Sequence, residues 1–177
     1  MSDDKFRVSH PNLPHLAEFQ LFLDELNKES DRGAALISTA MLDDLLEKII
    51  LAFLLDNKDT KKLLSGFNAP LGTFSARTLA AYSLGLISEL EYDECNRLRH
   101  VRNEFAHKVH QTFGDHKVKD LCANLTFAAK NFPKHPDPPK AQFLTSATAL
   151  ILALTNRPHS VSQSRLQFGK WKIEWKI

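Results

Sequence analysis

The sequence predicts an all-α protein, a compact single-domain bundle of roughly six or seven helices. Three observations support this fold class. Apolar residues recur at helical spacing in several stretches, helix-capping residues precede those stretches, and the 177-residue chain is 43% hydrophobic and 25% charged, as suits one globular domain. We expect residues 1–13 to be a flexible leader, residues 14–157 to form the domain, and residues 158–177 to form a C-terminal tail.

Apolar spacing and the positions of proline, glycine and capping residues predict where each helix begins and ends. Ser88 and Glu91 form a capping box for the helix that carries the most polar segment of the chain. The first predicted helix starts at Pro14, and the second runs from the Ser30–Asp31 cap to about Leu55. The next two run from Lys58 to Leu64 and from a Thr73 or Ser75 cap through Tyr82. The last three run from Ser88 to about His110, from about His116 to Lys130, and from Ala141 to Leu154.

Two segments near the C-terminus are not predicted to be helical. Residues 131–140 contain four prolines and predict an extended connector. The tail carries large apolar residues, and its WKIEWKI ending alternates as in a short strand. The tail is therefore predicted to form either a small β-hairpin or a strap that packs on a partner.

Composition excludes several classes of protein. The formal net charge of +2 does not indicate a domain that coats nucleic acid by charge alone. The chain lacks a secretory signal and any apolar run long enough to span a membrane, so we expect a cytoplasmic protein with no membrane contact. Motifs of nucleotide hydrolases, serine hydrolases and zinc proteases are absent from the sequence.

The two cysteines, Cys95 and Cys122, lie in helical stretches with apolar neighbours and lack metal-ligand spacing. We predict two buried reduced thiols rather than a disulfide, and we expect neither a metal nor a cofactor.

The most informative segment is Arg102-Asn103-Glu104-Phe105-Ala106-His107. At about 100° per residue, Arg102 falls within the apolar stripe of its helix, while His107 lies well over 100° away. A core-facing guanidinium requires a carboxylate partner. Asn103 and His107 are predicted to share a more polar face with His100 and His110. The candidate partners of Arg102 on or just before the long helix are Glu29, Asp31, Asp43 and Asp44.

Two interpretations of this segment remain open. In the first, Arg102 is a buried ion-pair partner and the histidines lie on a solvated surface. In the second, Arg102, Asn103 and His107 form a metal-free phosphate site, in which arginine holds the phosphate and histidine transfers a proton. A second chain of a two-fold dimer would then complete the site. Ser30, Asp31 and Arg32 either support it from a helix N-terminus or only cap that helix.

The R-N-x-x-x-H pattern of Arg102, Asn103 and His107 resembles the R-x4–6-H signature of the HEPN superfamily of all-α domains. Many members of that superfamily are metal-independent endoribonucleases that act as dimers. The resemblance implies that Arg102 and His107 are a catalytic pair and that Asn103 is the polar residue following the arginine.

A longer resemblance covers roughly residues 29–110. Glu29-Ser30-Asp31-Arg32-Gly33 and Met41-Leu42-Asp43 resemble the first block of the mannitol operon repressor family. Its second block is similar to Pro70-Leu71-Gly72, Ser75, Arg77, Tyr82-Ser83-Leu84-Gly85-Leu86-Ile87 and Glu91-Tyr92. This resemblance implies an all-helical regulator of a sugar-alcohol operon. Residues of the first block would support the polar site, namely Glu29, Ser30, Asp31, Arg32 and Asp43.

The sequence has no evident helix-turn-helix, so regulation through DNA would need another surface. A local basic cluster is either that nucleic-acid surface or a solvated helix face. Its members are Arg97, Arg99, His100, Arg102, Lys108 and His110, with Lys117 and Lys119 further on. We therefore predict a homodimeric regulator that acts through nucleic acid or a protein partner. The alternatives are a HEPN-type endoribonuclease of the toxin or defence class and a non-catalytic scaffold.

Overall fold

The computed structural model describes residues 22–108, 110–128 and 138–169, and these residues contain helices, turns and extended links but no β-strand. The predicted all-α class is confirmed. Residues 22–28 are helical and are labelled α1. The helices that follow are α2 (Asp31–Phe53), α3 (Lys58–Leu64), α4 (Phe74–Ser83), α5 (Glu89–His107), α6 (His116–Ala123), α7 (Pro139–Thr155) and α8 (Arg157–Ser162).

Helix α2 is the central helix, since it packs against α4, α5, α7 and α8. Its fully buried face includes Leu42, Leu46, Ile49 and Ile50, which explains the broad apolar stripe in the sequence. Helix α6 closes the bundle by packing on α5 and α7.

Three phenylalanines join α5, the turn after it and α7. The Phe105 and Phe113 rings lie 4.7 Å apart between centroids, and the Phe113 and Phe143 rings lie 5.4 Å apart. All three side chains are buried, and burial of each contributes about 1.5–3 kcal/mol. The aromatic cluster fixes where the C-terminal end of α5 meets the rest of the bundle.

Most predicted helix starts are confirmed, because their caps form as expected. The Ser30 hydroxyl accepts from the amide of Gly33 at 3.0 Å, and the Thr73 hydroxyl accepts from Ala76 at 3.2 Å. Ser88 and Glu91 form a reciprocal capping box at the start of α5. These side chains satisfy helix amides that would otherwise lack partners.

Two predicted helix ends are wrong. Helix α5 ends at His107 rather than near His110, because Lys108 adopts an extended backbone with φ −127° and ψ 125°. Helix α6 ends at Ala123 rather than near Lys130, because a buried carboxylate on α5 accepts the amides of Thr126 and Phe127 and draws the chain out of the helix.

The chain after α7 forms a short helix and then a strap on α2. Helix α8 places Pro158 in its first turn, where proline is tolerated. The amide of Leu166 donates to the Phe53 carbonyl at 2.8 Å, and Arg165 Nε donates to the Ala52 carbonyl at 3.0 Å. These bonds satisfy carbonyls at the end of α2. The described tail residues, 158–169, contain no strand.

Several predictions fall outside the described residues. These are the leader of residues 1–13, the helix start at Pro14, most of the proline connector, and the WKIEWKI ending. The choice between a hairpin and a partner-binding strap at residues 170–177 therefore stays a prediction.

Candidate functional site

Helix α5 carries the candidate residues, and a buried carboxylate anchors its N-terminal half. Glu94 is fully buried and accepts hydrogen bonds from the amides of Thr126 and Phe127 at 2.9 and 3.1 Å. The hydroxyls of Thr126 and Ser146 also donate to it, and Arg97 pairs with it at 3.0 Å. The carboxylate thus ties α5 to α7 and to the chain after α6.

The pKa of Glu94 reflects two opposing effects. Burial raises it, but the hydrogen bonds from Ser146, Thr126 and Phe127 outweigh burial and lower the pKa below its usual value. Glu94 is therefore held as a carboxylate at neutral pH. Sequence reasoning missed this residue, although a glutamate at an apolar position of the helical stripe was a usable signal.

A second charged side chain at the N-terminal end of α5 is also engaged in structure. Glu91 both caps α5 and pairs with Arg157 of α8, whose Nη2 lies 2.7 Å from Oε1. Arg157 also donates to the Leu86 carbonyl at 2.9 Å. These contacts join the start of α5 to helix α8.

Among the described residues, the buried arginine is Arg77 on α4 rather than Arg102. Its guanidinium pairs with Asp43 at 2.8 Å and Glu47 at 2.6 Å, both on α2. It also donates to the carbonyls of Leu64 and Leu71, at 2.8 and 3.0 Å. Asp43, predicted to support the polar site, therefore anchors α4 and the loop before it.

The side chain of Arg102 is exposed, and its Nη1 donates to Asn103 Oδ1 at 3.3 Å. The expectation of a buried Arg102–carboxylate pair is wrong. A helical wheel gives a direction but not the length of the neighbouring helix. Helix α4 has ten residues, is joined to α5 by a short turn and stacks Tyr82 on Tyr92, so it is long enough to run beside only the N-terminal half of the nineteen-residue α5. Arg102 points in a core-compatible direction but lies beyond that cover.

The other members of the candidate segment are also accessible. His107 is exposed and Asn103 is half-buried. Arg102 and His107 are five residues apart, which places them about 140° apart around one helix. Exposed His110 lies beyond the end of α5, so the predicted polar face ends at His107, although His100 on α5 is exposed as expected. One copy of the helix does not direct Arg102 and His107 at one point.

The residues predicted to support the site from the start of α2 lie in a separate network. Asp31 accepts from the Phe113 amide at 3.0 Å and pairs with Lys140 at 3.2 Å. Lys140 also donates to the Glu29 carbonyl at 3.0 Å. Arg32 is half-buried, and no ion pair forms on it within the described ranges. Ser30 thus caps α2, while Asp31 ties the start of α2 to α7 and to the turn after α5.

Carboxylates neutralise part of the predicted basic cluster. Arg97 pairs with Glu94 and lies 3.7 Å from Asp93. Lys117 and Lys108 pair with Glu104 at 2.6 and 3.2 Å, and their hydrogen bonds lower the pKa of that carboxyl. Within the basic cluster, the cations that keep no carboxylate partner among the described residues are Arg99, Arg102 and Lys119, beside the exposed His100 and His110.

Other kinds of site receive little support from the residues that the structure describes. Among them no group of histidine, cysteine, aspartate or glutamate side chains is arranged to hold a metal ion. No helix in these ranges is long and apolar enough to cross a membrane. A cavity of about 300 Å³ lies between the end of α2 and α3, where Leu51, Leu55 and Arg165 line it.

The comparisons with known proteins identify the fold. No protein-family model and no curated protein matches the sequence. Among solved structures, the chain is similar to a chain of the X-ray structure of the MtlR–HPr complex from Escherichia coli. The likeness has 23% sequence identity and a TM-score of 0.57, and it covers 82% of this chain and 99% of that chain. The protein therefore has an MtlR-like fold, in agreement with the longer of the two sequence resemblances.

Proposed function

We propose that this chain is a regulatory protein of the mannitol-repressor type that acts by binding a protein partner. The observation that carries the proposal is the MtlR-like fold, which spans nearly the whole of the compared chain. The MtlR of that structure is in complex with HPr, a protein partner. By analogy, the partner of this chain is a protein related to HPr.

The distribution of charge supports a protein partner over DNA. Binding that depends on phosphates needs several unpaired cations on one continuous surface. Here Arg97, Lys108 and Lys117 are occupied by carboxylates of the same chain. The unpaired cations of the basic cluster are too few for a broad nucleic-acid-binding surface.

Isothermal titration calorimetry of the purified chain with E. coli HPr tests the proposal. We expect saturable binding in the micromolar range, about −7 to −8 kcal/mol, as suits a transient regulatory complex. Titrations with duplex DNA and with single-stranded RNA in the same buffer are the matched controls. Absence of binding to HPr at low salt, together with tight, salt-sensitive binding to either nucleic acid, contradicts the proposal.

A second candidate function is a metal-independent endoribonuclease. The observation that favours it is the accessibility of Arg102 and His107, neither of which has a carboxylate partner in the described residues. Since the two side chains point about 140° apart on one helix, the site would need a second copy of α5 across a two-fold axis.

The nuclease hypothesis predicts cleavage of single-stranded RNA in the presence of EDTA. His107→Ala should then abolish cleavage without changing the melting temperature, while His100→Ala, an equally exposed histidine on the same helix, should leave cleavage intact. Cleavage that survives His107→Ala removes this hypothesis. A chain that binds neither HPr nor nucleic acid and cuts no RNA would fit the scaffold interpretation.

A further inference from the structure

The hairpin of α4 and the start of α5 exposes four large apolar side chains. Leu79 is 54% exposed and Leu90 is 65% exposed, while Tyr82 and Leu84 are each 39% exposed. These four residues fall within a stretch of twelve. Single apolar side chains scattered over a surface need no explanation, but several on one short helical hairpin are typical of a surface that binds a partner.

The hairpin is held in one conformation. The Tyr82 and Tyr92 rings stack with centroids 4.5 Å apart. Gly85, at φ +70°, makes the turn, and the Leu86 amide donates to the Ala81 carbonyl at 2.8 Å. The capping box and Arg157 fix the chain immediately after it. An apolar surface that is already ordered loses little conformational entropy when a partner binds.

The hairpin segment itself carries charge of one sign, and the arginines that pair with it, Arg97 and Arg157, come from outside it. From Thr78 to Asn96 the sequence contains four acidic residues and no lysine, arginine or histidine. Glu91 and Glu94 are buried and engaged in structure, so Glu89 and Asp93 supply the accessible carboxylates. Asp93 lies only at the edge of pairing distance from Arg97, at 3.7 Å. The hairpin therefore presents apolar side chains beside an acidic edge.

We propose that this hairpin surface, formed by Leu79, Tyr82, Leu84 and Leu90 with Glu89 and Asp93, is where the protein partner docks. The inference rests on the proposed function. The matching surface on the partner has an apolar centre bordered by lysine or arginine. Aromatic and leucine side chains bury apolar area at the centre, and complementary charges set the orientation and the association rate.

A second copy of this chain fits the surface poorly. A two-fold dimer would place the same hairpin on both sides of the contact, and residues 78–96 of each copy contain no cation to face Glu89 and Asp93 of the other. Like charges facing each other across an interface are unfavourable and suppress the wrong partner. The charge pattern thus favours a cationic partner over self-association.

The test is calorimetric titration of HPr into four forms of the full chain: wild type, Leu79→Ser with Leu90→Ser, Glu89→Lys with Asp93→Lys, and Phe67→Ala. Phe67 is the matched control, because it is 98% exposed but lies in the loop before α4. We expect each hairpin double variant to weaken binding at least about tenfold, and the charge variant also to lose the salt dependence. Phe67→Ala should bind as wild type does.

The outcomes separate the inference from the function on which it rests. If HPr binds wild type and both hairpin variants equally, the docking surface is wrong while the proposed function stands. If HPr fails to bind wild type, the proposed function and the docking surface fall together. Melting temperatures confirm folding, and analytical ultracentrifugation checks the oligomeric state. A hairpin variant that changes only the oligomeric state assigns the surface to self-association and overturns the inference.

Discussion

The two halves of α5 use charge in opposite ways. In the N-terminal half, Glu91 and Glu94 are buried and satisfied by Arg157, by backbone amides and by hydroxyls. In the C-terminal half, Arg102 and His107 are exposed, and the side-chain hydrogen bond that Arg102 makes within the described residues goes to the neighbouring Asn103. One helix therefore combines charges that hold the fold together with charges that remain available to solvent or ligand.

The comparison shows that residue type and helical direction do not determine the role of a charged residue. By helical spacing, Arg77 and Arg102 each lie on the side of their helix that faces the protein core. Arg77 has α2 and its carboxylates beside it, while Arg102 lies past the end of the helix that would have covered it. The extent of the neighbouring element decides which arginine becomes structural.

Glu94→Ala should have the largest effect among single substitutions in α5. It leaves the amides of Thr126 and Phe127 without a carboxylate and breaks the pair with Arg97, so we expect a loss of about 3–5 kcal/mol in the free energy of unfolding. Urea denaturation measures it. Asp93→Ala, at its half-buried neighbour, is the control and should change stability by less than about 0.5 kcal/mol. Equal losses for the two variants would erase the distinction between buried and accessible charges.

Replacing each of the two arginines by alanine and comparing the losses of stability is the next test. Arg77→Ala should cost about 3 kcal/mol, near the lower end for breaking a buried pair because its carboxylate partners are half-buried. Arg102→Ala should change the free energy of unfolding by less than about 0.5 kcal/mol. The same denaturation experiment measures both, and a larger loss at Arg102 than at Arg77 would restore the buried-pair interpretation of the 102–107 segment.

The free energy of unfolding should decrease as the pH is lowered, because Glu94 then becomes protonated. Because its folded pKa is lowered, its contribution is fully present above the unfolded pKa and is lost as pH falls through the folded pKa. Unfolding midpoints measured from pH 7 to pH 3 should therefore decline more steeply for wild type than for Glu94→Gln. Glu104, whose pKa is lowered by Lys117 and Lys108, gives the comparison in the C-terminal half. Glu104→Gln should alter the slope less, since its partners are solvated. Parallel slopes for wild type and Glu94→Gln would show that Glu94 does not carry the acid sensitivity.

The sequence predicted much of this fold because local signals set most of it. The caps at Ser30, Thr73 and Ser88 act within a few residues of themselves, so the starts of α2, α4 and α5 could be read directly. The end of α6 depends on Glu94, about thirty residues earlier in the chain, and no local pattern reveals it.

The candidate site was only partly predictable for the same reason. The apolar spacing identified α5 and directed His107 away from the core, but it directed Arg102 toward the core, whereas the side chain of Arg102 is exposed. The partners of Asp31 and Asp43 lie on other helices, so spacing along one helix could not show that they serve Lys140 and Arg77. The exposed hairpin was missed because leucine and tyrosine at helical spacing predict a core unless the neighbouring helices are known.

The smallest predicted effect concerns the chemical reactivity of the two cysteine thiols. Cys95 and Cys122 are free and buried, as predicted, and burial raises the pKa of each thiol to about 12. Neither thiol should react with a water-soluble disulfide reagent at pH 8 in the native protein, while both should react in urea. Rapid labelling of Cys95 without denaturant would show that the buried N-terminal half of α5 opens readily.

The most direct test of the central claim compares the two ends of α5 in one binding experiment. HPr is titrated into the Leu79→Ser, Leu90→Ser variant and into an Arg102→Ala, His107→Ala variant, each shown to melt near the wild-type temperature. A protein-binding regulator that docks through its α4–α5 hairpin should lose at least about tenfold in affinity in the first variant and keep wild-type affinity in the second. Wild-type affinity in the first variant and loss in the second would contradict the account.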